Sequence, residues 1–397
     1  MSQAKIPTFG PARVTALVPT YNRAQYLPEC LDSLLTQSRK PDQIVVIDDG
    51  STDGTESIVS RYGHQVQYVK KSNGGKSSAL NLGLAYATGD LIWVCDDDDI
   101  AAADGLEMML AAFEANPGTD YVFGDYRIFE IAADGTKAVY DPSFSRRSGE
   151  PNLKINFLED MFMLQYASLV RKSVYEDLGG YDESLIRSQD YDMMLRVSRR
   201  HAGVYTPHVI FHYRHHQTPR GNAGGLFSVA ENFTQWRKYD RIIFSRIRDT
   251  YELPEFMPSF ATGLPWADRS AYIQRALVIA KRGLWSEAAE DLSAAERSSA
   301  EPLAEAELDL LQSIVHGHEA WLILGQDRSA MASLSEICFR SKTGQRLIIR
   351  LLRPLLWLIR NSARDGNYRR TAACIAILYR IAGLRGAVSL LRKRDRQ

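Results

Sequence analysis

The stretch Leu91-Ile-Trp-Val-Cys-Asp-Asp-Asp-Asp-Ile100 decides the fold. Its first five residues form an unbroken apolar run, which is typical of a strand buried on both faces of a parallel sheet. Four consecutive acids follow at the carboxyl end of that strand, where open α/β sheets bind their ligands. Adjacent carboxylates repel one another, and Mg²⁺ or Mn²⁺, which prefer oxygen ligands, would relieve that repulsion. The alternative is a solvated acidic loop, which the buried strand in front of the acids disfavours.

Composition and charge limit the class of protein. The 397 residues are 45% hydrophobic and 24% charged, which is typical of a soluble globular protein with two or three domains. Net charge is zero, but residues 340–397 hold 15 basic and two acidic side chains, and this charge of +13 favours an anionic partner. Four scattered cysteines without a CxxC pair indicate a reducing compartment. No signal peptide or apolar run of ~18 residues is recognisable, so we expect a cytoplasmic protein.

Strands and helices alternate through the first part of the chain. This pattern predicts a parallel sheet with right-handed crossovers, and its strands are expected at residues 14–18, 43–47, 66–69 and 91–95. Polar turns follow three of these strands, at 19–23, 48–53 and 96–99. Because carboxyl ends of parallel strands share one edge, we expect these turns to converge on one crevice, most commonly filled by a nucleotide.

The segment Gly74-Gly-Lys-Ser77 matches only half of a phosphate-binding P-loop, because Lys70 stands where the motif requires its first glycine. A dinucleotide fingerprint after the first strand is also missing, which disfavours an oxidoreductase. We expect Gly74 and Gly75 to leave backbone N–H groups open beside a helix N-terminus, with Lys76 as the cation for a diphosphate. An ordinary turn with a surface lysine is the alternative.

Two later features bear candidate chemistry. Asp190 lies near the predicted start of a helix, where a capping role is the alternative to catalysis. His212, His215 and His216 cluster where a predicted strand ends, and such histidines bind metals or anions or are structural. Residues 141–156 are polar and irregular, which favours a loop over the crevice.

Residues 14–217 resemble the inverting glycosyltransferases of family 2, which have the GT-A fold. The motifs, in order, are Val18-Pro-Thr-Tyr-Asn-Arg23, Val46-Ile-Asp-Asp-Gly-Ser-Thr-Asp53, Asn73-Gly-Gly-Lys76 with Ala79-Leu-Asn-Leu-Gly83, the acidic run, Gly179-Gly-Tyr-Asp-Glu183, Gln189-Asp190 with Arg196, and Tyr213-Arg-His-His216. The resemblance implies an α/β, Rossmann-like GT-A domain. It also implies transfer of a sugar from a nucleotide-diphosphate donor, with UDP or dTDP expected, to a hydroxyl of a saccharide, lipid-linked or protein acceptor. Surface polysaccharide or glycolipid assembly is the implied pathway.

The same resemblance implies residue roles. Asp190 would be the general base, the catalytic residue that deprotonates the acceptor hydroxyl. Asp96, Asp98 and Asp99 would hold Mg²⁺ or Mn²⁺, and Asp97 occupies the position where the family usually has a non-acid. His216 would contact the diphosphate or the metal, with His212 and His215 as weaker substitutes. The residues that would contact the donor are Pro19, Tyr21, Asp48, Asp49, Lys76, Asp96, Asp97 and His216.

Two other functions fit parts of the sequence. A nucleotidyltransferase would have a similar crevice without needing a base such as Asp190. A non-catalytic nucleotide-sugar-binding protein would act as a scaffold through its second half.

The second half lacks strand signals. We predict a flexible N-terminus over 1–12, a glycosyltransferase domain over 13–230, a helix and linker over 231–265 and a helical-hairpin domain over 266–397. Glycines at 283, 325 and 366 suggest hairpins related to tetratricopeptide repeats. The arginine-rich apolar segment 346–360 is either a helix on an anionic membrane, which would give a peripheral membrane contact, or a helix buried between hairpins. Nucleic acid is not an expected partner, because the basic tail lacks a recognised motif.

Overall fold

A computed structural model describes residues 12–131, 136–141, 151–215, 220–222, 225–227, 229–313 and 318–392. The chain divides into two compact units. The first unit comprises Met1–Arg147 and Asp160–Tyr239, and the second comprises Ser148–Glu159 and Asp240–Gln397. The predicted N-terminal segment 1–12 lies almost wholly outside the described residues.

The first unit is built on one mixed sheet. Its strands run in the order β3-β2-β1-β4-β8-β6-β9-β5, with β7 paired to β6. A separate two-stranded ribbon joins β10 to β11. The strand bounds are β1 Val14–Thr20, β2 Gln43–Asp48, β3 Gln67–Lys70, β4 Leu91–Val94, β5 Ile100–Ala101, β6 Tyr121–Ile131, β7 Lys137–Tyr140, β8 Ser168–Arg171, β9 Gly203–Arg214, β10 Arg220–Asn222 and β11 Gly225–Phe227.

The predicted parallel arrangement of the first four strands is correct, and the later strands make the sheet mixed. β1 pairs in parallel with both β2 and β4, and β2 with β3. β8 then inserts antiparallel between β4 and β6, so the sheet becomes mixed. All four residues of β4 are buried, as the apolar run predicted. The acidic run follows β4 directly and ends at β5, which pairs antiparallel with β9 and so fixes the far end of the run.

Helices cover both faces of the parallel strands. The helices of the first unit are α1 Leu27–Leu35, α2 Thr55–Ser60, α3 Lys76–Tyr86, α4 Gly105–Ala115, α6 Lys172–Leu178 and α7 Gln189–Arg200. Side chains alternate along β1, so Val14 and Val18 lie in the core cluster with Leu31 of α1. Each such fully buried leucine stabilises the fold by about 2 kcal/mol. On the other face α3 approaches closely, because a Cβ on Gly83 would lie 2.7 Å from Ile47 Cδ1.

The described residues of the second unit form helices and turns. Helix α8 Val229–Thr250 spans the boundary between the two units. The helices of the second unit are α5 Leu153–Glu159, α9 Ala267–Lys281, α10 Trp285–Ser298, α11 Glu305–Ser313, α12 His318–Gln326, α13 Arg328–Arg340, α14 Lys342–Leu351, α15 Pro354–Arg364 and α16 Tyr368–Arg392. Gly283 and Gly366 have φ of 79° and 72° in the turns between α9 and α10 and between α15 and α16. Turns therefore occur at two of the three repeat glycines, whereas Gly325 lies inside α12. The predicted α/β unit followed by a helical second unit is confirmed.

The segment 346–360 is two helices rather than one. Leu347, Leu351 and Leu355 are fully buried in the helical unit, while Trp357 is 62% exposed. This burial supports the second of the two predicted interpretations of the segment. Among the described residues, no helix combines the length and apolarity needed to cross a bilayer.

Candidate active site

The turns after β1 and β2 are joined by side-chain hydrogen bonds. Asn22 donates its backbone N–H to Ser51 Oγ at 2.9 Å, and its Oδ1 accepts from the backbone N–H of Thr52 at 2.8 Å. These bonds hold Asn22 in a left-handed conformation with φ of 53°, which asparagine tolerates better than most residues. Pro19 lies in register with Ile47 of β2, and Tyr21 follows β1 with a partly buried ring. The predicted turns thus converge as one edge of a crevice.

Asp48 is fully buried at the carboxyl end of β2. Its Oδ1 accepts from the backbone N–H of Ser51 at 2.7 Å, and its Oδ2 accepts from the hydroxyl of Tyr68. Burial and the charge of Asp48 raise the pKa of Tyr68 above its ordinary value, so the phenol stays a donor. Asp48 therefore braces the turn through Oδ1 and binds β3 through Oδ2.

Asp49 holds the glycine loop that precedes α3. Its Oδ1 accepts from Lys71 Nζ at 2.7 Å and from the backbone N–H of Gly74 at 2.9 Å, and its Oδ2 accepts from that of Gly75 at 2.7 Å. The expectation that these two N–H groups would be open to a diphosphate is therefore wrong, because a carboxylate of the chain already binds them. Gly50 is required here as well, since its φ is 84° and a Cβ on it would lie 2.8 Å from Asn73 N.

Three of the four acids in the run converge. One carboxylate oxygen from each of Asp96, Asp98 and Asp99 lies within 4.8 Å of the others, a spacing at which one cation could contact all three. These are the same three residues that the resemblance implied as metal ligands. Oxygen donors alone suit a hard divalent cation such as Mg²⁺ or Mn²⁺.

Cationic side chains surround this cluster. Lys76, at the start of α3, forms an ion pair with Asp96, and Arg23 Nη1 lies 3.3 Å from Asp98 Oδ2. Asp97 is buried beside the cluster, and burial, followed by the charge of Asp98, raises its pKa to about 7 against the opposing effect of Arg23. The cluster thus combines a dense negative charge with two neighbouring cations.

Arg214 anchors the acidic run from β9. Its backbone N–H donates to Asp99 Oδ1 at 2.7 Å, and its Nε donates to the carbonyl oxygen of Asp98 at 2.8 Å. The guanidinium lies 5.2 Å from the ring centre of Tyr26 and 4.6 Å from that of Phe129, and such cation–π contacts suit a buried arginine. Sequence reasoning gave Arg214 no role, although it lies in the Tyr213–His216 motif.

Asp190 lies across the crevice on the first turn of α7. Ser188, not Asp190, is the N-cap, and it has a φ of 60°. Asp190 Oδ1 accepts from the backbone N–H of Tyr191 at 2.9 Å. Burial and the charge of Asp96 raise the pKa of Asp190, while Lys76 opposes the rise. The alternative role as a helix N-cap does not describe this geometry.

Lys76 couples the two sides of the crevice. Burial alone would lower its pKa, but the carboxylates of Asp96 and then Asp190 raise it above the ordinary value. Both carboxylates are therefore close enough to Lys76 to influence its pKa. Residues 76, 96 and 190, far apart in the sequence, are therefore brought together.

Asn81 and Arg196 hold the segment that leads to Asp190. Asn81, one turn after Lys76 on α3, donates to the carbonyl oxygen of Tyr181 at 3.0 Å and accepts from its N–H at 2.8 Å. Gly180 must be glycine, since its φ is 77° and a Cβ would lie 2.6 Å from Asn81 Oδ1. From α7, Arg196 Nη1 donates to the carbonyl oxygen of Gly180 at 2.9 Å. This set of bonds, which we call the 81–180–196 clasp, ties α3 to α7.

The structure describes two of the three candidate histidines, His212 and His215. His212 is half-buried within β9, and burial lowers its pKa. His215 pairs through Nδ1 with Glu130 near the end of β9. His216, the predicted diphosphate contact, lies outside the described residues, as does most of the predicted 141–156 loop.

Comparison with known proteins identifies the family of this region. Residues 15–179 match the model described as Glycosyl transferase family 2. A glycosyltransferase of Rickettsia typhi is 28% identical over 217 residues, covering 54% of this chain and 67% of the relative. Glycosyltransferase GlyA of Streptococcus pneumoniae is 35% identical over 123 residues, and hyaluronan synthase of Pasteurella multocida 29% over 191; these alignments cover 30% and 47% of this chain. They cover only 17% and 18% of the relatives, so the chain spans a small part of each.

Among solved structures, the S. aureus TarS 1-349 fragment is similar in fold. The comparison covers 89% of this chain and 92% of the fragment, with a TM-score of 0.51 and 17% sequence identity. At this identity the likeness describes the fold, which agrees with the GT-A architecture that the resemblance implied.

Proposed function

Since residues 15–179 match glycosyl transferase family 2, we propose that this chain transfers a sugar from a nucleotide-diphosphate donor to an acceptor hydroxyl with inversion at the anomeric carbon. The observation that carries the proposal is the convergence of carboxylate oxygens from Asp96, Asp98 and Asp99, with Lys76 paired to Asp96. An inverting transfer needs a base and a leaving-group site on opposite sides of one sugar, and two separate elements of the fold supply carboxylates for them.

The reaction is a single in-line displacement. The acceptor oxygen attacks the anomeric carbon as the bond from that carbon to the diphosphate oxygen breaks, and the bonding electron pair leaves with the diphosphate. The acceptor proton passes to the carboxylate of Asp190. Its raised pKa makes Asp190 a stronger base than an exposed aspartate, provided that it is ionised.

The leaving-group side is the cluster of Asp96, Asp98 and Asp99. These residues would hold Mg²⁺ or Mn²⁺, which would neutralise the charge that develops on the departing diphosphate. Their three converging oxygens support this fit. Lys76 and Arg23, already paired with Asp96 and Asp98, would add positive charge near the phosphates if a cation displaced them from these carboxylates.

For the donor we propose a UDP- or dTDP-sugar. Pro19, Tyr21, Asp48 and Asp49 would face the nucleoside, and His216 the diphosphate. Asp49 retains capacity for a base N–H, because each carboxylate oxygen accepts about two hydrogen bonds and its Oδ2 accepts from Gly75. Asp96 and Asp97 would contact the donor from the acidic run, where Asp97 keeps 8% of its surface exposed.

The acceptor we propose is a saccharide, lipid-linked or protein hydroxyl, used in surface polysaccharide or glycolipid assembly in the cytoplasm. The relatives named hyaluronan synthase and chondroitin synthase support a polysaccharide product. All four cysteines are buried and unbridged in the described structure, which suits a reducing compartment.

A donor screen tests the proposal. We expect one class among UDP-, dTDP- and GDP-sugars to raise the melting temperature with Mn²⁺ present, and the same donor to release its nucleoside diphosphate slowly to water. Formation of a nucleoside triphosphate and a sugar 1-phosphate after pyrophosphate is added to the donor would instead indicate a nucleotidyltransferase, because that reaction breaks the phosphoanhydride bond of the donor. Binding without any turnover, with a range of saccharide acceptors present, would favour the scaffold.

A further inference from the structure

The last helix of the second unit exposes an apolar stripe. Tyr368, Ile375 and Tyr379 of α16 are 73%, 51% and 59% exposed. They are seven and eleven residues apart, so at about 3.6 residues per turn they project within about 40° of one another. Ala372 is exposed on the same stripe. We call these four residues the outer face of α16.

Exposed apolar side chains are concentrated in this part of the chain. The four most exposed large apolar side chains among the described residues are Phe339, Trp357, Tyr368 and Leu384. All of them lie within 46 consecutive positions of the sequence. Isolated exposed apolar residues need no explanation, but a concentration of them marks an interaction surface.

Arginines accompany the outer face of α16. Arg369 and Arg380 are exposed on the same helix, next to Tyr368 and Tyr379. Over the described residues 340–392 the sequence has 12 basic side chains and one acid, Asp365. Eleven of the twelve are arginines, whose planar guanidinium binds phosphate through paired hydrogen bonds.

We propose that the outer face of α16 docks on a membrane surface rich in anionic phospholipid. Tyr368, Ile375 and Tyr379 would enter the headgroup boundary, and Arg369 and Arg380 would contact lipid phosphates. Charge complementarity selects this occupant over a second copy of the chain, because a two-fold contact would bring the same basic region against itself. The docking face differs from the segment 346–360 that the sequence suggested, whose leucines are mostly buried although Trp357 is exposed.

Vesicle sedimentation of the full chain tests the proposal. We expect the protein to pellet with vesicles of phosphatidylcholine and phosphatidylglycerol at low salt, and to remain in solution with phosphatidylcholine alone. High salt should release it, since arginine–phosphate attraction is screened. Equal pelleting with both vesicle types, or no pelleting at low salt, would overturn the proposal.

Paired variants locate the surface. Ile375→Ser with Tyr379→Ser should weaken vesicle binding by about tenfold or more, because both apolar contacts are lost. Tyr86→Ser, which alters a 44% exposed tyrosine on α3, is the matched control and should bind like the unchanged chain. Arg369→Gln with Arg380→Gln should lower binding and flatten its salt dependence. Unchanged circular dichroism and melting temperature in each variant exclude unfolding as the cause.

Light scattering identifies the competing occupants. A concentration-dependent dimer that Tyr379→Ser abolishes, in a chain that ignores vesicles, would assign the face to a second copy. Binding to an acidic amphipathic peptide with no vesicle binding would assign it to a protein partner. Sugar transfer to a soluble acceptor should be unchanged in all these variants, so failure here leaves the proposed activity untouched.

Discussion

The turn after β2 and the first turn of α7 each present an aspartate to the same crevice, yet the two carboxylates are held very differently. Asp49 accepts three hydrogen bonds from Lys71, Gly74 and Gly75 at 2.7–2.9 Å. Asp190 accepts from the backbone N–H of its neighbour Tyr191 and has a pKa raised by burial. Hydrogen bonds to a carboxylate stabilise its charged form, whereas burial opposes it.

This difference separates a residue that holds a loop in place from a residue that can take part in proton transfer. With three hydrogen bonds to Lys71, Gly74 and Gly75, Asp49 tethers the loop that delivers Lys76 to the crevice. A carboxylate with a raised pKa is ready to take a proton. The resemblance placed both residues in one site, and their hydrogen bonding indicates how their contributions should differ.

Asp190→Asn is the strongest test of this contrast. Loss of the base should lower kcat by about 10²–10⁴-fold while donor affinity stays unchanged. Steady-state transfer rates and donor titration measure the two quantities. Asp104→Asn, at the exposed start of α4, is the matched control and should retain full activity. Transfer at a near-normal rate would remove Asp190 from the role of base.

Removal of divalent metal tests the opposite side of the crevice. EDTA should lower the transfer rate by about 10²-fold or more, since charge on the leaving diphosphate would be left unbalanced. Mn²⁺ or Mg²⁺ added in excess should restore the rate. A rate that is the same with and without EDTA would show that Lys76 and Arg23 suffice, and the acidic cluster would then need another role.

Asp49→Asn should have an intermediate effect. The amide cannot accept from both glycines and Lys71 as the carboxylate does, so we expect a stability loss of about 1–3 kcal/mol and weaker donor binding by about tenfold. Denaturant unfolding and donor titration check both expectations. Asp42→Asn is the control, because Asp42 accepts from Val14 N at 2.8 Å at the opposite end of the strands. It should lower stability without weakening donor binding.

Asn81→Leu should have a smaller effect through the 81–180–196 clasp. Loss of its hydrogen bonds would let Lys76 and Asp190 separate slightly, and we expect kcat to fall by about three- to tenfold. Asn116→Leu, at an exposed asparagine after α4, provides the comparison. A drop in thermal stability without any change in kcat would limit the clasp to a structural role.

The pH profile should show the smallest change. Asp190 acts when deprotonated, so kcat should fall as pH drops through its pKa, and the raised pKa puts this fall above the ordinary range of an aspartate. Lys76→Met removes the cation that lowers the pKa of Asp190. The fall of kcat at acid pH should therefore begin at a higher pH in this variant. If kcat falls over the same pH range in this variant, a group other than Asp190 controls the fall.

Local patterns in the sequence predicted part of this structure well. The apolar run before Asp96 identified β4, and alternation of strands and helices gave the parallel strands around it. Strand direction beyond β4 could not be predicted, because β8 is a four-residue strand whose orientation depends on the path of the chain from β6. The converging acids were predicted because they are adjacent in sequence.

The sequence did not predict the contacts between residues that are far apart along the chain. Asn81 and Tyr181 are 100 residues apart, and Arg214 meets Asp99 across 115 positions. Nothing in the local composition around Asn81 signals a partner so far away. The same limit explains the error at Gly74 and Gly75, since the carboxylate that binds their N–H groups comes from a different strand end.

The close approach of Gly180 to Asn81 has a consequence for how this site can vary. A methyl group at position 180 would sit where the Asn81 amide lies, and the φ of 77° would strain any side chain there even if residue 81 were smaller. Two independent constraints therefore act on position 180, and only one of them acts through Asn81. We expect position 180 to stay glycine in every variant of this site that keeps the same turn.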